Sequence, residues 1–207
     1  MSAFAWCRLG DVTAEQFHGL AAPGAELARD VVSCPGADTC NLAVTQSRGL
    51  AAALDQALGE AGLAEVGGVR INISGCTNSC GQHHVADIGF FGVERRAQGR
   101  SAPGYQLLLG GHHGDTTVEF GEKAGHLPAR TCPAAAVRII GRFAAERTAG
   151  ESFPAWVQRA GGATAIFRDL ADLAVFPSPD DDPTFYVDYD ESAPYEASVG
   201  AGECIGA

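Results

Sequence analysis

The sequence lacks the features that mark membrane and exported proteins. No apolar run reaches the roughly 20 residues that a membrane-spanning helix needs. The opening residues, MSAFAWCRLGD, do not combine a basic start with an apolar stretch, as a secretory signal peptide does. We therefore expect a cytoplasmic protein that does not bind membranes.

Basic residues are missing from the last part of the chain. No Lys or Arg follows Arg168, whereas nine carboxylates lie from Asp172 onward. The preceding residues are nearly balanced, with 16 acidic and 14 basic side chains, so the net charge of −11 belongs mainly to the tail. No basic stripe is available to neutralise phosphates, and nucleic-acid binding is not expected.

Apolar periodicity predicts helices and strands that alternate along the chain. The predicted helices are 13–20, 42–63, 133–149, 153–159 and 165–173. The predicted strands are 30–34, 69–73, 85–93, 105–110 and 116–120. This order predicts an α+β fold in which a mixed β-sheet has flanking helices.

Composition divides the chain into three parts. Residues 1–27 are expected to be a lead-in, and residues 28–175 an α+β domain. Residues 176–207 are rich in Pro, Asp and Tyr. Such a composition predicts an acidic tail that either wraps over the surface or is mobile.

Four of the seven cysteines form two closely spaced pairs. Five residues separate Cys34 from Cys40, and three separate Cys76 from Cys80. Each pair follows a predicted strand and is accompanied by Gly or Pro, which let a loop fold around a bulky cofactor. Disulfides are not expected, because the number of cysteines is odd and a reducing compartment disfavours them.

Soft thiolate ligands suit either zinc or an iron–sulfur cluster. Zinc sites with four cysteines usually leave about two to four residues within each pair, and the five-residue gap fits that pattern poorly. Buried structural cysteines are common, but as single residues. The spacing favours a cluster, with zinc as the alternative.

The residues around the two pairs, SCPGADTCNLA and SGCTNSCGQ, closely resemble the assimilatory nitrite and sulfite reductases, which carry sirohaem and a [4Fe–4S] cluster. The similarity continues through 83–93, 107–111 and 143–153. It covers roughly residues 28–207. The family's 4Fe–4S domain is itself an α+β domain with a mixed sheet.

The resemblance implies roles for individual residues. It implies four cluster ligands: Cys34, Cys40, Cys76 and Cys80. The thiolate of Cys80 would also bridge to the sirohaem iron, where nitrite or sulfite receives six electrons. Asn78 and Gln82 lie in the same loop and are expected to contact sirohaem.

The resemblance also implies partners. Members of the family have two related halves, and this chain matches the second, so we expect a complementary N-terminal half. That half would supply cations that bind the anionic substrate. An electron donor such as ferredoxin or a flavoprotein is also expected. The alternatives are a [4Fe–4S] electron carrier without sirohaem and an enzyme similar to precorrin-3B synthase.

The remaining candidate residues have less specific interpretations. His83 and His84 should point apart on a strand, and we expect packing or hydrogen bonding rather than proton donation. Cys7 and Cys132 are expected to be structural or incidental, and the start of a helix at Cys132 can lower its thiol pKa. Cys204 is expected to be a free thiol in the tail, with an approach to the active site as the alternative.

Overall fold

A five-stranded mixed sheet organises the chain in a computed structural model, which describes residues 27–114 and 117–197. Its strands in sequence are β1 (Val32–Ser33), β2 (Ile71–Ser74), β3 (Ile88–Ala97), β4 (Arg100–Leu109) and β7 (Glu122–Pro128). Two further short strands, β5 (His112–His113) and β6 (Val118–Glu119), pair with each other. The sheet order is β1-β2-β3-β4-β7, parallel from β1 to β3 and antiparallel beyond. The predicted α+β class with a mixed sheet is confirmed.

Four helices accompany the sheet: α1 (Ser47–Glu60), α2 (Cys132–Glu146), α3 (Phe153–Arg159) and α4 (Ala163–Arg168). Helix α1 buries Leu50, Leu54 and Leu58, whose spacing of four residues places them on one face. Helix α1 begins five residues later than the predicted 42–63. Residues 42–46 form a loop instead of a helical turn, because the amide of Val44 donates to the carbonyl of Gly75 at 2.8 Å.

Strands β3 and β4 form a long hairpin that extends past the predicted strands 85–93 and 105–110. A two-residue turn at Gln98 and Gly99 joins them, with φ angles of 49° and 78°. Positive φ at both positions is typical of the type I′ turn, whose twist matches paired strands. Beyond Val93 the side chains of β3 are alternately exposed and half-buried, so no apolar signal marked this part of the strand.

Strand β7 was not predicted. Its sequence, EKAGHLP, contains no β-branched or aromatic residue, so its strand propensity is low. It forms because β4 offers a pairing edge and because α4 packs against it, with Gly125 lying directly against the Phe167 ring. The predicted strand 116–120 is reduced to β6, and Thr116 lies outside the described residues.

The first part of the acidic tail packs onto the domain. Tyr186, Tyr189 and Tyr195 are all buried. The Tyr189 hydroxyl donates to the carbonyl of Ala129 at 3.0 Å, and the Tyr195 hydroxyl donates to that of Val44 at 2.8 Å. Residues 176–197 therefore wrap over the surface, the first of the two predicted alternatives.

The predicted helix 13–20 and the last ten residues lie outside the described part of the chain, and the three-part division stays a prediction. Within the described residues, no helix has the length and apolar character needed to cross a bilayer.

Candidate functional site

Both cysteine loops leave the sheet at the same edge. Strands β1 and β2 are parallel neighbours, so the loops that follow them start side by side. The amide of Cys34 donates to the carbonyl of Ile73 at 3.1 Å, and the amide of Gly75 donates to the Cys34 sulfur at 3.2 Å. Cys76 follows directly, so strand pairing brings one cysteine of each pair together.

The loop that carries Cys40 is tied to the second cysteine loop. The amides of Val44 and Thr45 both donate to the carbonyl of Gly75, at 2.8 and 3.2 Å. The amide of Cys40 donates to the carbonyl of Gly36 at 3.0 Å. These backbone bonds fix where Cys40 lies relative to Cys76.

Three glycines allow this close approach. A Cβ atom on Gly75 would lie 2.9 Å from the Gly36 Cα atom and 2.8 Å from the Thr45 carbonyl oxygen. A Cβ atom on Gly92, in β3, would collide with the Thr45 hydroxyl and the Gly75 carbonyl oxygen. Gly36 also has a φ of 68°, which L side chains rarely adopt. We call Gly36, Gly75 and Gly92 the glycine cradle; no side chain larger than hydrogen fits at any of the three positions.

The electrostatics of Cys76 show that the four thiols are neighbours. Burial is the main cause that raises the thiol pKa of Cys76. A hydrogen bond with the Asn78 backbone lowers that pKa, while Cys34, Cys40 and Cys80 each raise it through charge repulsion. Each of these three thiols is therefore near enough to Cys76 for its charge to act on the Cys76 thiol.

The arrangement differs from that of a single-ion site. Across residues 27–114 and 117–197, no three His, Cys, Asp or Glu side chains are grouped tightly enough to hold one metal ion. Zinc would draw all four sulfurs to about 2.3 Å from one centre. A cubane cluster instead distributes its ligands over four irons, so its thiols lie farther apart than those of a zinc site.

The fourth cysteine differs from the others in exposure. Cys80 is exposed, whereas Cys34, Cys40 and Cys76 are half-buried. Asn78 and Gln82 are also exposed beside it. Gln82 has a left-handed φ of 58°, and its amide donates to the carbonyl of Ser79 at 2.8 Å. This compact turn leaves the Cys80 thiol open to a second group.

The histidines behind this turn are arranged differently from the prediction. They lie in a 3₁₀ turn, His83–Val85, and their ring centroids are 4.2 Å apart, so they do not point apart. Burial and the nearby His84 lower the pKa of His83 to about 4. His83 Nδ1 lies 2.8 Å from the Ser74 hydroxyl, and Nε2 has no hydrogen-bond partner among the described residues. His83 is thus a neutral core residue.

The comparisons with known proteins agree with this geometry. Residues 24–170 match the family described as the nitrite and sulphite reductase 4Fe-4S domain. The chain belongs to this family.

Several family members are similar to the chain over part of their length. It is 34% identical to the assimilatory ferredoxin-dependent nitrite reductase of Haloferax mediterranei, over 64% of this chain and 23% of that protein. It is 33% identical to the sulfite reductase [ferredoxin] of Mycobacterium tuberculosis, over 64% of this chain and 25% of the relative. The structure of the Mycobacterium tuberculosis NirA protein matches with a TM-score of 0.56 and 30% identity, over 66% of this chain and 26% of that one. The chain thus spans about a quarter of the relatives it matches.

The residues fit the cluster of a 4Fe-4S domain. Four thiols, a glycine cradle and backbone amides directed at sulfur, such as that of Gly75 toward Cys34, are the donor set such a cluster takes. For sirohaem, the chain offers the exposed Cys80 thiol but no cation in either ligand loop, since residues 34–46 and 75–86 contain no Lys or Arg. The tetrapyrrole's carboxylates would need cations from elsewhere.

Sequence reasoning missed two kinds of residue in this 4Fe-4S domain. Ser47, the first residue of α1, lies with its hydroxyl 3.4 Å from the Cys34 sulfur. Asp188 and Glu191 reach the same helix start from the tail and accept hydrogen bonds from Gln46 at 2.9 and 3.0 Å. No local pattern marks contacts between residues more than 140 positions apart.

Two further predictions concern the other cysteines. Cys132 is fully buried and its thiol donates to the carbonyl of Pro128 at 3.4 Å. Burial raises the pKa of Cys132 well above its usual value, so the expected lowering at a helix start is wrong. Desolvation outweighs the helix dipole there. Cys7 and Cys204 lie outside the described residues.

Proposed function

We propose that this chain is the cluster-bearing part of a nitrite or sulfite reductase. Four cysteines would bind one [4Fe–4S] cluster: Cys34, Cys40, Cys76 and Cys80. One observation carries the proposal: adjacent parallel strands bring the two cysteine loops side by side, and of the four cysteines Cys80 is the exposed one.

The exposed thiol of Cys80 has the accessibility that a bridge to sirohaem requires. In the proposed enzyme Cys80 would be a ligand of both groups, and Asn78 and Gln82 would help to hold the tetrapyrrole. When bound, the two groups supply electrons and an iron centre for the six-electron reduction of nitrite to ammonia or of sulfite to sulfide. The role of this chain is to hold the thiolates in register and to shield three of them from water.

A complementary half follows from the charge of the ligand loops. Nitrite, sulfite and the sirohaem carboxylates are all anionic, and anions that gain charge during a reaction need fixed cations. Neither ligand loop contains a Lys or Arg. We therefore propose that an N-terminal half, in the same polypeptide or a separate one, supplies them. Ferredoxin is the proposed donor, because relatives are named ferredoxin-dependent reductases.

Cysteine substitutions test the cluster assignment. The chain, purified without oxygen and reconstituted with iron and sulfide, should show the broad visible absorption of a [4Fe–4S] cluster. The single variants to compare are C34S, C40S, C76S and C80S. Each should lose most of the bound iron and sulfide, while Cys132→Ala, which removes a thiol from the core, should keep them. Retention of a full cluster by C34S, C40S or C76S would contradict the ligand set.

A second experiment tests the sirohaem assignment. The reconstituted chain, combined with a complementary half and sirohaem, should show a haem absorption band and reduce nitrite or sulfite with reduced ferredoxin. C80S should lose this band or shift it, whereas Cys132→Ala should not. A cluster with no haem uptake under these conditions favours the electron-carrier alternative, and turnover of precorrin-3A favours the synthase alternative.

A further inference from the structure

The start of α1 faces the proposed cluster. Ser47 is the first residue of this helix, and its hydroxyl lies 3.4 Å from the Cys34 sulfur and donates to the Cys34 carbonyl at 2.8 Å. A helix N-terminus carries a partial positive charge and unpaired amide donors. The helix start therefore favours a more negative, reduced cluster.

The acidic tail brings carboxylates to the same helix start. Asp188 Oδ2 accepts the amide of Gln46, the residue that precedes α1, at 2.9 Å. Glu191 Oε1 accepts from the side-chain amide of Gln46 at 3.0 Å. Asp188 is 4% exposed, so water screens its charge poorly. Two anionic side chains thus lie where the helix dipole is positive.

These carboxylates and a proposed ligand line one cavity. The cavity has a volume of about 410 Å³. Cys40 and Asn41 lie on its wall, and Asp188, Glu191 and Glu196 approach from the tail. Cys40 and the tail carboxylates therefore border the same open volume.

Fixed charge near a cluster changes how readily it accepts an electron. Reduction adds one negative charge, and a nearby anion makes that addition less favourable, more so in a medium of low dielectric. We propose that the tail lowers the reduction potential of the cluster through Asp188, with a smaller contribution from Glu191. Both act through the cluster and touch no substrate, and the inference rests on the proposed function.

A cation next to Asp188, the Arg130 side chain, opposes this effect. The Arg130 guanidinium lies over the Tyr189 ring at 4.6 Å and donates to the carbonyls of Val187 and Asp188, at 3.2 Å each. Burial raises the pKa of Asp188, while the amides of Gln46 and Tyr189 and the charge of Arg130 lower it. Mildly alkaline solution favours the ionised carboxylate, and removing its charge shifts the potential in one direction whether or not Arg130 is present.

The test is a redox titration of the reconstituted chain, with the reduced cluster followed by electron paramagnetic resonance. Asp188→Asn should keep the cluster and shift the midpoint potential upward. Asp181→Asn is the matched control: it lies in the same tail, removes the same charge and is exposed outside the cavity. It should leave the potential unchanged.

A second variant covers the case in which Asp188→Asn does not fold, since an amide can satisfy only one of the two backbone donors at that position. Glu191→Gln, at an exposed position, should raise the potential at low salt by less than Asp188→Asn and lose the shift at high salt. Equal potentials for Asp188→Asn and Asp181→Asn would overturn the inference. If Asp188→Asn does not fold, an unchanged potential in Glu191→Gln at low salt would overturn it. A wild-type chain that takes up no cluster contradicts the proposed function itself.

Discussion

A methyl group added at Gly75 tests the glycine cradle directly. A Cβ atom there would lie 2.8 Å from the Thr45 carbonyl oxygen, 2.9 Å from the Ala43 Cβ atom and 2.9 Å from the Gly36 Cα atom. All three are backbone atoms or a short side chain, so none can rotate away. The two cysteine loops would have to separate.

The size of the effect follows from these distances. Unbonded carbon atoms pack best at about 3.5–4.0 Å, so the methyl group would lie at least about 0.6 Å too close to the Ala43 and Gly36 carbons, and it would also crowd the Thr45 carbonyl oxygen. Overpacking of this kind costs about 1–3 kcal/mol. Gly75 does not have a positive φ, so the cost is steric rather than conformational. We expect Gly75→Ala to lose stability in this range and to take up much less cluster.

The assay is urea unfolding together with iron and sulfide content after reconstitution. The matched control is Gly59→Ala in α1, where no described atom lies within 4 Å of the added carbon. That substitution should stabilise the chain by about 0.5–1 kcal/mol, because Ala is the better helix former. Wild-type stability and cluster content in Gly75→Ala would refute the close-approach argument.

Three further predictions concern the tail and the core. Tyr195→Phe removes the hydroxyl that donates to Val44 at 2.8 Å and should lower the free energy of unfolding by about 1 kcal/mol in urea titrations; no change would mean that this bond does not hold the tail. Arg130→Lys keeps the charge but loses the planar donor pair that contacts the tail carbonyls, so limited proteolysis should cut residues 176–197 faster than in wild type; an unchanged rate would contradict that role. For His83, the folded pKa of about 4 lies below the unfolded value of about 6.5. Between these values the unfolded chain binds a proton and the folded chain does not, so stability should fall by about 2 kcal/mol from about pH 7 to about pH 5 in the cluster-free chain. His83→Gln should show a smaller fall, and equal slopes would rule out His83 as the cause.

Local patterns predicted the elements that have local signals. The apolar periodicity predicted a helix at 42–63 and a strand at 69–73, and the structure has α1 and β2 at these places. Helix α1 is shorter than predicted. Strand β7 was missed because its pairing comes from β4 and α4 rather than from its own residues. The type I′ turn at Gln98 and Gly99 was missed because the strand ends beside it contain charged residues and show no apolar alternation.

In the candidate site, too, some features can be seen in the sequence and others depend on the fold. The spacing of the two cysteine pairs is a property of the sequence and favoured a cluster over zinc, and the residues around the cysteines carried the family resemblance. The neighbours of those cysteines are a property of the fold. His83 is buried against Ser74 and Phe91, which precede and follow it by fewer than ten residues. The contacts of Asp188 and Glu191 with Gln46 arise from packing between distant segments.

The sequence by itself determined which residues we propose as iron ligands, because soft thiolate ligands and the turns around them are encoded within a few positions of one another. The tertiary structure alone decided that the two loops carrying these thiols lie side by side, since the pairing of parallel β1 and β2 brings them to one edge. It also decided that Cys80 stays exposed and that the acidic tail lies beside Cys40. Such contacts depend on long-range packing, which no short stretch of sequence specifies.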